Sequence, residues 1–434
     1  MYSKKGKFAG KVLLLLGSSV GSVDIVNYAK THGAYTIVAD YYPTERSAAK
    51  LVADESVLIS SADLEALGKL VEERHIDGVF AGIHEFNLLQ AMTLCEKYNL
   101  PFYCTRAQWN QIQNKAQFRS LCEKYCVPCP KTWFIGEKIS DDISRQLKYP
   151  VIVKPVDSCN SVGISICHSE AELQKGVALA RENSGCGQII LEEFVKGAEF
   201  SAHYTICGGR PTLSCVDNRY PVAVHEGEVT TIPAGRIYPS LFTQNFIDQV
   251  NEPVLRLCQG IGLWNGVLFI QGMYDSEVNK FYIFEAGLRS AGEAPYRFIE
   301  RINGVNFMHV LVDHALLRTA SFASDREDPL LKGNCCGVVS FVAKGGRVGL
   351  IEGLEAAVQN TPSVIEYESR YPVGFDTPNT DSLRQLMIRF VLICENREQM
   401  KKDVAYLNNA VTVLNDKGEN MVIKLKPERI SNVF

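Results

Sequence analysis

The 434-residue sequence contains no apolar run near the roughly 20 residues that a membrane-spanning helix needs. Its formal net charge is −4, with 45 Lys and Arg against 49 Asp and Glu. It therefore lacks the surplus of clustered cations that a broad grip on nucleic acid requires, because neutralising phosphates takes Lys and Arg. We expect neither nucleic acid nor a membrane among its partners. A few local cations could still hold a small anionic ligand.

The sequence also lacks the patterns of a secreted protein. Lys4, Lys5 and Lys7 precede the apolar run Val12–Leu16, but this run is too short for a signal core and ends at Gly17 without a small-residue cleavage pattern. Fourteen cysteines are scattered through apolar segments, as expected for reduced thiols that pack as small hydrophobes. The expected location is cytoplasmic.

One cysteine spacing suggests a metal cluster. Cys122, Cys126 and Cys129 have the C-x₃-C-x₂-C spacing of a radical-SAM iron–sulfur site. We favour another interpretation, in which the first two belong to a helix predicted around 117–125 and Cys129 lies in the proline-flanked turn after it. The segment is not followed by the run of βα units from which such enzymes build their barrel.

Short apolar runs alternate with amphipathic patterns through the first hundred residues. The runs predict strands at 12–17, 35–40, 56–60, 78–82 and 101–104. Buried strands that alternate with helices are typical of a parallel sheet covered on both faces.

The pattern changes after about residue 115. An antiparallel strand pair is predicted at 266–274 and 280–285, and a helix at 303–320. The charged segment 325–329 closes with proline and indicates a linker, after which the pattern is β-rich.

A glycine-containing turn at 17–21 follows the first strand, where a dinucleotide fold would hold its pyrophosphate. However, Ser19 and Ser22 stand where the G-x-G-x-x-G fingerprint needs glycine. An NAD-dependent oxidoreductase is therefore a weak competitor. We expect this turn to line a substrate cleft, with His84 and Glu85 on the same rim.

Four separated segments carry the residues that predict chemistry, at 114–130, 149–163, 190–200 and 266–289. In the second, Lys154 ends an apolar strand and must either reach solvent or meet an anion, since a buried unpaired ammonium is costly. The loop at 157–163 is rich in Ser, Asn and Gly, which can surround phosphate oxygens. The alternative is a surface turn after an exposed lysine.

The third and fourth segments present carboxylates. Glu192 and Glu199 flank a hinge whose backbone could meet the edge of adenine, although solvated carboxylates would give the same pattern. Glu285 ends an apolar strand, where a carboxylate near phosphate oxygens would favour Mg²⁺. The alternative for Glu285 is a buried ion pair with Arg289.

The order of these segments resembles the ATP-grasp superfamily, in particular its carbamoyl phosphate synthetase large-subunit and L-amino-acid ligase branch. The resemblance covers roughly residues 1–430 and is clearest from Lys115 to Arg289. It implies an α/β, Rossmann-like parallel-sheet domain at 1–112, called pre-ATP-grasp. It further implies a two-subdomain α+β ATP-grasp domain at 113–330, with a lid at about 130–190. A β-rich C-terminal domain at 331–434 would complete the module.

The resemblance also implies roles for single residues, with ATP and Mg²⁺ (or Mn²⁺) as cofactors. Lysines and the loop would contact phosphates, the hinge would read adenine, and an acidic residue would bind ribose. The residues implied to bind ATP are Lys115, Lys154, Ser158, Ser161, Gly163, Glu192, Phe194, Val195 and Glu199. The residues implied to act in catalysis are Lys154 and Arg289, and the implied metal ligands are Gln271 and Glu285.

Two positions depart from the family pattern. Gln271 stands where Glu or Asp is usual, although its carbonyl oxygen can still bind a hard cation. The pattern Glu-x-Asn-x-Arg reads Glu285-Ala-Gly-Leu-Arg289, so Gly287 replaces an asparagine ligand. One ligand fewer predicts weaker Mg²⁺ binding, or a metal held mainly by ATP.

The implied reaction activates a carboxylate as an acyl phosphate for attack by an amine, in a cleft that the lid closes. Expected partners are ATP, a small carboxylate, an amine and, by resemblance alone, a second copy in a homodimer. Two alternatives remain: a degenerate ATP-binding regulatory module without turnover, and phosphorylation of a small acid as in carbamoyl phosphate synthetase. The basic residues that could hold the substrate, or could equally be ordinary surface residues, are Arg219, His225, Arg236 and Arg297.

Overall fold

The computed structural model describes residues 6–19, 21–158, 162–224, 232–319, 326–380 and 382–431. Within these residues the strands form five sheets. No helix in this part of the chain combines the length and the apolar character that crossing a bilayer requires.

The N-terminal sheet is parallel and has the strand order β3-β2-β1-β4. Its strands are β1 (Val12–Leu16), β2 (Tyr35–Ala39), β3 (Glu55–Val57) and β4 (Gly78–Ala81). Its helices are α1 (Ser22–Thr31), α2 (Ala48–Val52), α3 (Leu64–Glu73) and α4 (Glu85–Tyr98). Leucines 13 to 16 of β1 are almost fully buried, which confirms the predicted buried first strand.

The predicted strand at 101–104 does not form, and the strand predicted at 56–60 stops at Val57. Pro101 has no backbone N–H to donate to a sheet, so the segment is a poor continuation of the ladder. Instead, Tyr103 turns inward, and its hydroxyl donates to the carbonyl of Leu288 at 2.6 Å. The segment therefore joins the N-terminal unit to the end of the predicted strand pair.

Two helices lead to a small antiparallel sheet, which we call the lid sheet. The helices are α5 (Arg106–Gln113) and α6 (Lys115–Tyr125). The lid sheet and its helices comprise β5 (Thr132–Gly136), α7 (Asp141–Gln146), β6 (Val151–Pro155), β7 (Ser165–Cys167), α8 (Glu170–Glu182) and β8 (Ile189–Glu193), in the strand order β5-β8-β6-β7. Its apolar residues form a hydrophobic cluster of their own.

The next stretch builds the central sheet and the start of the C-terminal sheet. Its elements are β9 (Ala198–Cys207), β10 (Arg210–Val216), β11 (Asn218–Val222), β12 (Ile232–Tyr238), α9 (Thr243–Phe246), α10 (Glu252–Gly260), β13 (Gly266–Asp275) and β14 (Lys280–Gly287). The central sheet has the order β10-β9-β13-β14 and is antiparallel. The predicted strand pair at 266–274 and 280–285 is confirmed as β13 and β14.

The helix predicted at 303–320 is confirmed over the shorter range 307–317, and its predicted first residue, Asn303, instead ends a separate helix before it. Gly304, with φ of 72°, ends the first, and the side chain of Asn306 caps the second by accepting from the backbone N–H groups of Met308 and His309. Leu317, expected to point inward, is 36% exposed. The helices are α11 (Tyr296–Asn303) and α12 (Phe307–Leu317).

The C-terminal sheet crosses the predicted boundary at residue 330. Its order is β11-β12-β15-β19-β17, with β21 beside β15, so β12 pairs with a strand from beyond that boundary and β11 extends the same sheet. A smaller sheet has the order β18-β16-β20. The remaining elements are β15 (Cys335–Ala343), β16 (Gly346–Glu352), α13 (Leu354–Gln359), β17 (Val364–Ser369), β18 (Asp376–Thr377), β19 (Leu386–Cys394), α14 (Arg397–Ala410), β20 (Thr412–Asn415) and β21 (Val422–Ile423). The division into three domains stays a prediction.

Candidate active site

The two candidate metal ligands lie directly opposite each other. Gln271 on β13 is the cross-strand partner of Glu285 on β14. Such partners have Cβ atoms roughly 5 Å apart, so both side chains can reach one cation. Within the described residues the Glu285 carboxylate forms no ion pair or hydrogen bond. A half-buried carboxylate left without a partner fits a cation.

The missing asparagine ligand has a steric explanation. Gly287 is the cross-strand partner of Phe269, and a Cβ atom on Gly287 would lie 2.3 Å from the ring atom Cε1 of Phe269. The guanidinium of Arg289 lies 4.5 Å from the centre of the same ring. Phe269 thus fills the space that a side chain at position 287 would need, and it supports Arg289 by a cation–π contact.

Lys154 is buried, with 4% of its surface exposed, and its Nζ lies 2.6 Å from Oε2 of Glu192. Glu192 is fully buried and also forms an ion pair with Arg119. Burial alone would raise the pKa of Glu192, but Lys154 and Arg119 more than offset that effect and hold it at about 2. Burial lowers the pKa of Lys154, and Glu192 opposes this change. The lysine therefore meets an anion inside the protein, which excludes the exposed-lysine interpretation.

Lys115 is positioned by the start of helix α6. The side chain of Asn114 caps the helix by accepting from the N–H of Gln117 at 3.1 Å. The ammonium of Lys115 donates to the carbonyl oxygen of Ser158 at 2.5 Å. After burial and Arg119, the charge of Lys115 also lowers the pKa of Lys154, because the two ammonium groups lie in one region.

The lid sheet meets the central sheet at the end of β14. Nζ of Lys154 lies 5.9 Å from the centre of the Phe284 ring. An Nη2 hydrogen of Arg119 is donated to the carbonyl of Phe284 at 3.0 Å. Lys154 and Arg119 thus contact the residue that precedes Glu285, on the strand that carries one of the candidate metal ligands.

The phosphate-loop candidates are described in part. The hydroxyl of Ser158 donates to the carbonyl of Val162 at 2.9 Å, and Ser161 lies outside the described residues. Gly163 has φ of 76°, and a Cβ atom there would lie 2.8 Å from Cγ of Pro155. Glycine at this position allows the loop to fold back against the end of β6.

The hinge candidates lie between β8 and β9. Phe194 and Val195 are half-buried, and the N–H of Phe194 donates to the carbonyl of Pro150 at 3.4 Å. Glu199 forms an ion pair with Arg219. The Glu192 carboxylate is taken up by Lys154 and Arg119, so only its backbone could meet a base. The alternative that all these carboxylates are solvated is wrong for Glu192, which has no exposed surface.

Arg289 connects the site to the N-terminal sheet. Its Nε donates to Oε1 of Glu85 at 2.8 Å, and its Nη1 donates to the carbonyl of Ser290 at 3.1 Å. Glu85 is the first residue of α4, just past the carboxyl end of β4. The alternative pair of Glu285 with Arg289 therefore does not form. The predicted substrate-cleft rim at Glu85 therefore contacts Arg289 of the candidate active site.

The cysteine cluster spacing does not bring three thiols together. Cys122 is buried in α6 and forms a hydrogen bond with Cys129, which lowers the pKa of Cys129 to about 7. Cys126 is exposed, at the left-handed C-cap of the helix. In the described part of the chain, no group of three or more His, Cys, Asp or Glu residues is arranged to hold a metal ion.

The chain is similar to known proteins in sequence and in structure. The family model of the D-ala D-ala ligase C-terminus matches residues 122–219. The large chain of carbamoyl phosphate synthase from Clostridium perfringens is 24% identical over 299 residues, which cover 67% of this chain and 26% of that one. The L-amino acid ligase of Bacillus licheniformis superposes with a TM-score of 0.74 at 18% identity, over 94% of this chain and 99% of that one.

A further solved structure is the biotin carboxylase domain of the 2-oxoglutarate carboxylase from Hydrogenobacter thermophilus, in complex with MgADP and bicarbonate. It superposes with a TM-score of 0.74 at 17% identity, over 98% of this chain and 92% of that one. The chain has the fold of these solved proteins. The predicted fold class, a parallel α/β sheet followed by an α+β unit, is confirmed. The chain spans 26% of the length of the first carbamoyl phosphate synthase chains that it matches.

Two supporting residues of the candidate site received no role from the sequence. Arg119 shares Glu192 with Lys154, and Phe269 supports Arg289. The signal for Arg119 was a charged residue between Phe118 and Leu121, on the buried stripe of a helix. The sequence offered no comparable signal for Phe269, since an apolar residue in a strand is ordinary.

The basic residues proposed as substrate holders separate in the structure. Arg219 pairs with Glu199, whereas Arg297 contacts Asp24 and Glu366. His225 lies outside the described residues. Arg236 remains a candidate to hold the substrate, because it lines a cavity.

Proposed function

We propose that this protein is an ATP-dependent, Mg²⁺-dependent ligase of the ATP-grasp type that activates a carboxylate as an acyl phosphate for attack by an amine. The observation that supports this most directly is that Lys115 contacts Ser158 in the loop after Lys154, and that Lys154 lies beside Phe284, the residue before Glu285. Two cations near an unpaired carboxylate form the electrostatic setting that a triphosphate and its metal ion require.

In this proposal, ATP binds between the lid sheet and the central sheet. Lys115, Lys154 and the loop at 158–163 hold the phosphates. The backbone around Glu192 and Val195 meets adenine beside Phe194, and Glu199 meets the ribose. The MgADP bound to the solved biotin carboxylase domain supports a nucleotide in a protein of this fold.

The metal ion, Mg²⁺ or alternatively Mn²⁺, is assigned to Gln271 and Glu285. Mg²⁺ commonly takes one or two protein carboxylates and fills its remaining positions with phosphate oxygens and water. A site with one carboxylate and one amide oxygen can complete this coordination only when the nucleotide supplies its phosphate oxygens. We therefore infer that metal and ATP bind together.

The protein contributes mainly charge and position in the transfer of a phosphoryl group. Lys154 is preorganised by Glu192, and Arg289 is held by Glu85 and Phe269. Neither cation has to be immobilised during the reaction, so both can offset charge on the phosphoryl oxygens as it develops. Closure of the lid sheet would keep water away from the acyl phosphate.

The replacement of Lys154 by alanine tests the proposal. K154A should lose ATP turnover by at least about 100-fold, a loss typical of removing one preorganised electrostatic group. The measurement is phosphate release with Mg²⁺ and a panel of amino acids and small acids. K175A is the matched control, because Lys175 is an exposed lysine of α8 in the same lid unit.

Circular dichroism of K154A, compared with the wild type, tests whether the variant is folded. Equal turnover by K154A and K175A would contradict the ligase assignment. ATP binding by the wild-type protein without turnover on any candidate would instead favour the regulatory module that Gly287 suggested. Phosphate release with a small acid alone, without an amine, would favour the carbamoyl-phosphate-synthetase-like reaction. A homodimer and a cytoplasmic location remain predictions.

A further inference from the structure

A small cavity of about 160 Å³ lies where three parts of the chain meet. Ile83, from the loop between β4 and α4, forms one wall. The C-terminal sheet supplies apolar side chains and the hydroxyl of Ser340. The charged residues that line it are Arg236, Glu293, Arg370 and Arg389.

Arg236 is already neutralised by its surroundings. Its Nη1 donates to Oδ2 of Asp217 and to Oγ of Ser201, each at 2.7 Å. Its Nε lies 2.8 Å from Oε1 of Glu293. With two carboxylates beside one guanidinium, Arg236 and Glu293 form a paired wall of the cavity and have little need of a ligand.

Arg389 is in the opposite situation. Only 7% of its surface is exposed, and its Nη2 donates to the carbonyl of Gly292 at 3.1 Å. Its nearest carboxylate, that of Glu368, lies 3.8 Å away and is half exposed. The buried Nε of Arg389 has no hydrogen-bond partner within the described residues. Burial and then the charge of Arg370 both lower the pKa of Arg389.

Glu368 lies 3.3 Å from Nε of Arg370 and 3.8 Å from Nη1 of Arg389, so one carboxylate is shared by two guanidinium groups. The Nε of Arg389 still has no partner within the described residues, and a buried donor of a charged group is costly unless an anion meets it. The Nε and Nη hydrogens of arginine form a planar fork that matches the oxygens of a carboxylate or a phosphate. The cavity therefore presents an anion site that the protein itself leaves partly unsatisfied.

Two residues that line the cavity, Glu293 and Arg236, are linked to the proposed reaction centre. Gly292 and Glu293 follow Arg289 along the same loop. On the other side, Arg236 is joined through the hydroxyl of Ser201 to the amide of Gln271, with 3.4 Å between Ser201 Oγ and Gln271 Nε2. The cavity wall is thus connected to Arg289 through one loop and to Gln271 through the hydroxyl of Ser201.

We propose that Arg389 and Arg370 bind an anionic group, a carboxylate or a phosphate, of the small substrate of this site. The reacting end of that substrate would point along the Arg236–Glu293 wall towards Gln271. The volume sets its size, because an engineered cavity of roughly 150 Å³ accommodates one benzene molecule. The enclosed part of the substrate is therefore about six heavy atoms. The role as substrate rests on the proposed ligase function, whereas the anion site does not.

Titration calorimetry on the full chain at low ionic strength, without ATP, tests the site. The probes are succinate, L-alanine and inorganic phosphate, with succinamide as an uncharged counterpart of succinate. We expect at least one anion to bind saturably and succinamide not to bind. R389Q should weaken the binding of that anion at least tenfold. The control R347Q should change it less than twofold, because Arg347 is an exposed arginine of β16, 3.7 Å from Asp376.

R370Q provides a second variant if R389Q does not fold, since the side chain of Arg370 is already 25% exposed. The inference is overturned if none of the three probes binds, or if the folded arginine variants bind as the wild type does. Preference for phosphate over succinate and L-alanine identifies a phosphorylated substrate, and the reverse identifies a carboxylate. If the wild-type chain binds an anion but shows no ATP turnover, the ligase proposal is contradicted and the anion site is retained.

Discussion

Gly287 is the residue at which this chain departs most from the ATP-grasp pattern, and its neighbour Phe269 accounts for the departure. A Cβ atom at position 287 would lie 2.3 Å from the Phe269 ring, so even alanine must displace the ring or the strand. Overpacking of this kind costs about 1–3 kcal/mol. We expect G287A to lower the free energy of unfolding by that amount, measured by urea denaturation.

Two variants show whether the ring is the cause. G292A is the control, because a Cβ atom there would meet only Cδ1 of Ile83, at an ordinary 3.5 Å. The smaller side chain in F269L should relieve the overlap, so the double variant F269L/G287A should be more stable than the sum of the single effects by at least about 0.5 kcal/mol. Additive effects would mean that the overlap does not determine the identity of residue 287.

Single residues could be predicted from the sequence where their chemistry conflicts with their surroundings. Lys154 at the end of an apolar strand and Glu285 at the end of another were found in this way, because a buried charge needs a reason. Their partners were not found. Arg119 pairs with Glu192 across 73 residues of chain and Arg289 with Glu85 across 204, and no local pattern encodes such contacts.

Helix α6 shows at the scale of an element how the fold places a cation. Its first residue is Lys115, although a positive charge at a helix N-terminus is unfavourable. The cap by Asn114 fixes where the helix begins and therefore where the lysine lies. An element that breaks a local electrostatic rule in this way is expected at a functional site.

The variant N114A should cost about 1 kcal/mol of stability, as the loss of an N-cap usually does. It should also weaken ATP binding several-fold, because the start of α6 and the position of Lys115 are no longer fixed. N396A is the matched control, since Asn396 caps α14 through the N–H of Gln399 at 2.9 Å in the same manner. Thermal denaturation and ATP titration are measured on both. Equal ATP affinities in the two variants would refute the positioning role of the cap.

The elements themselves were predictable to different degrees. Strands β1, β13 and β14 followed from apolar runs, whereas the segment at 101–104 has the apolar character of a strand but is used for tertiary packing through Tyr103. The pairing of β12 with β15 could not be predicted, because strand order in an antiparallel sheet depends on contacts between distant segments.

The buried hydrophobic residues of the molecule form separate clusters of different size. One cluster runs from Phe8 in the N-terminal unit through the central sheet to Val391 in the C-terminal sheet. The lid sheet has a small separate cluster that includes Val151, Leu173 and Leu191. Elements with little shared buried surface open at lower free energy than the main core. The lid sheet is thus suited to open for a nucleotide while the rest stays folded.

Hydrogen–deuterium exchange tests this division. Without nucleotide, amides of β6 and β8 should exchange faster than those of β9 and β13, because the lid sheet opens locally. ADP with Mg²⁺ should slow exchange in β6 and β8, since phosphates would bridge Lys154 of the lid to the metal pair of the central sheet, and β16 and β20 should not change. K154A should keep the fast basal exchange but lose the slowing by nucleotide. If β6 and β8 exchanged as slowly as β13 in the free protein, the lid would be part of the common core, and nucleotide would have to enter by another motion.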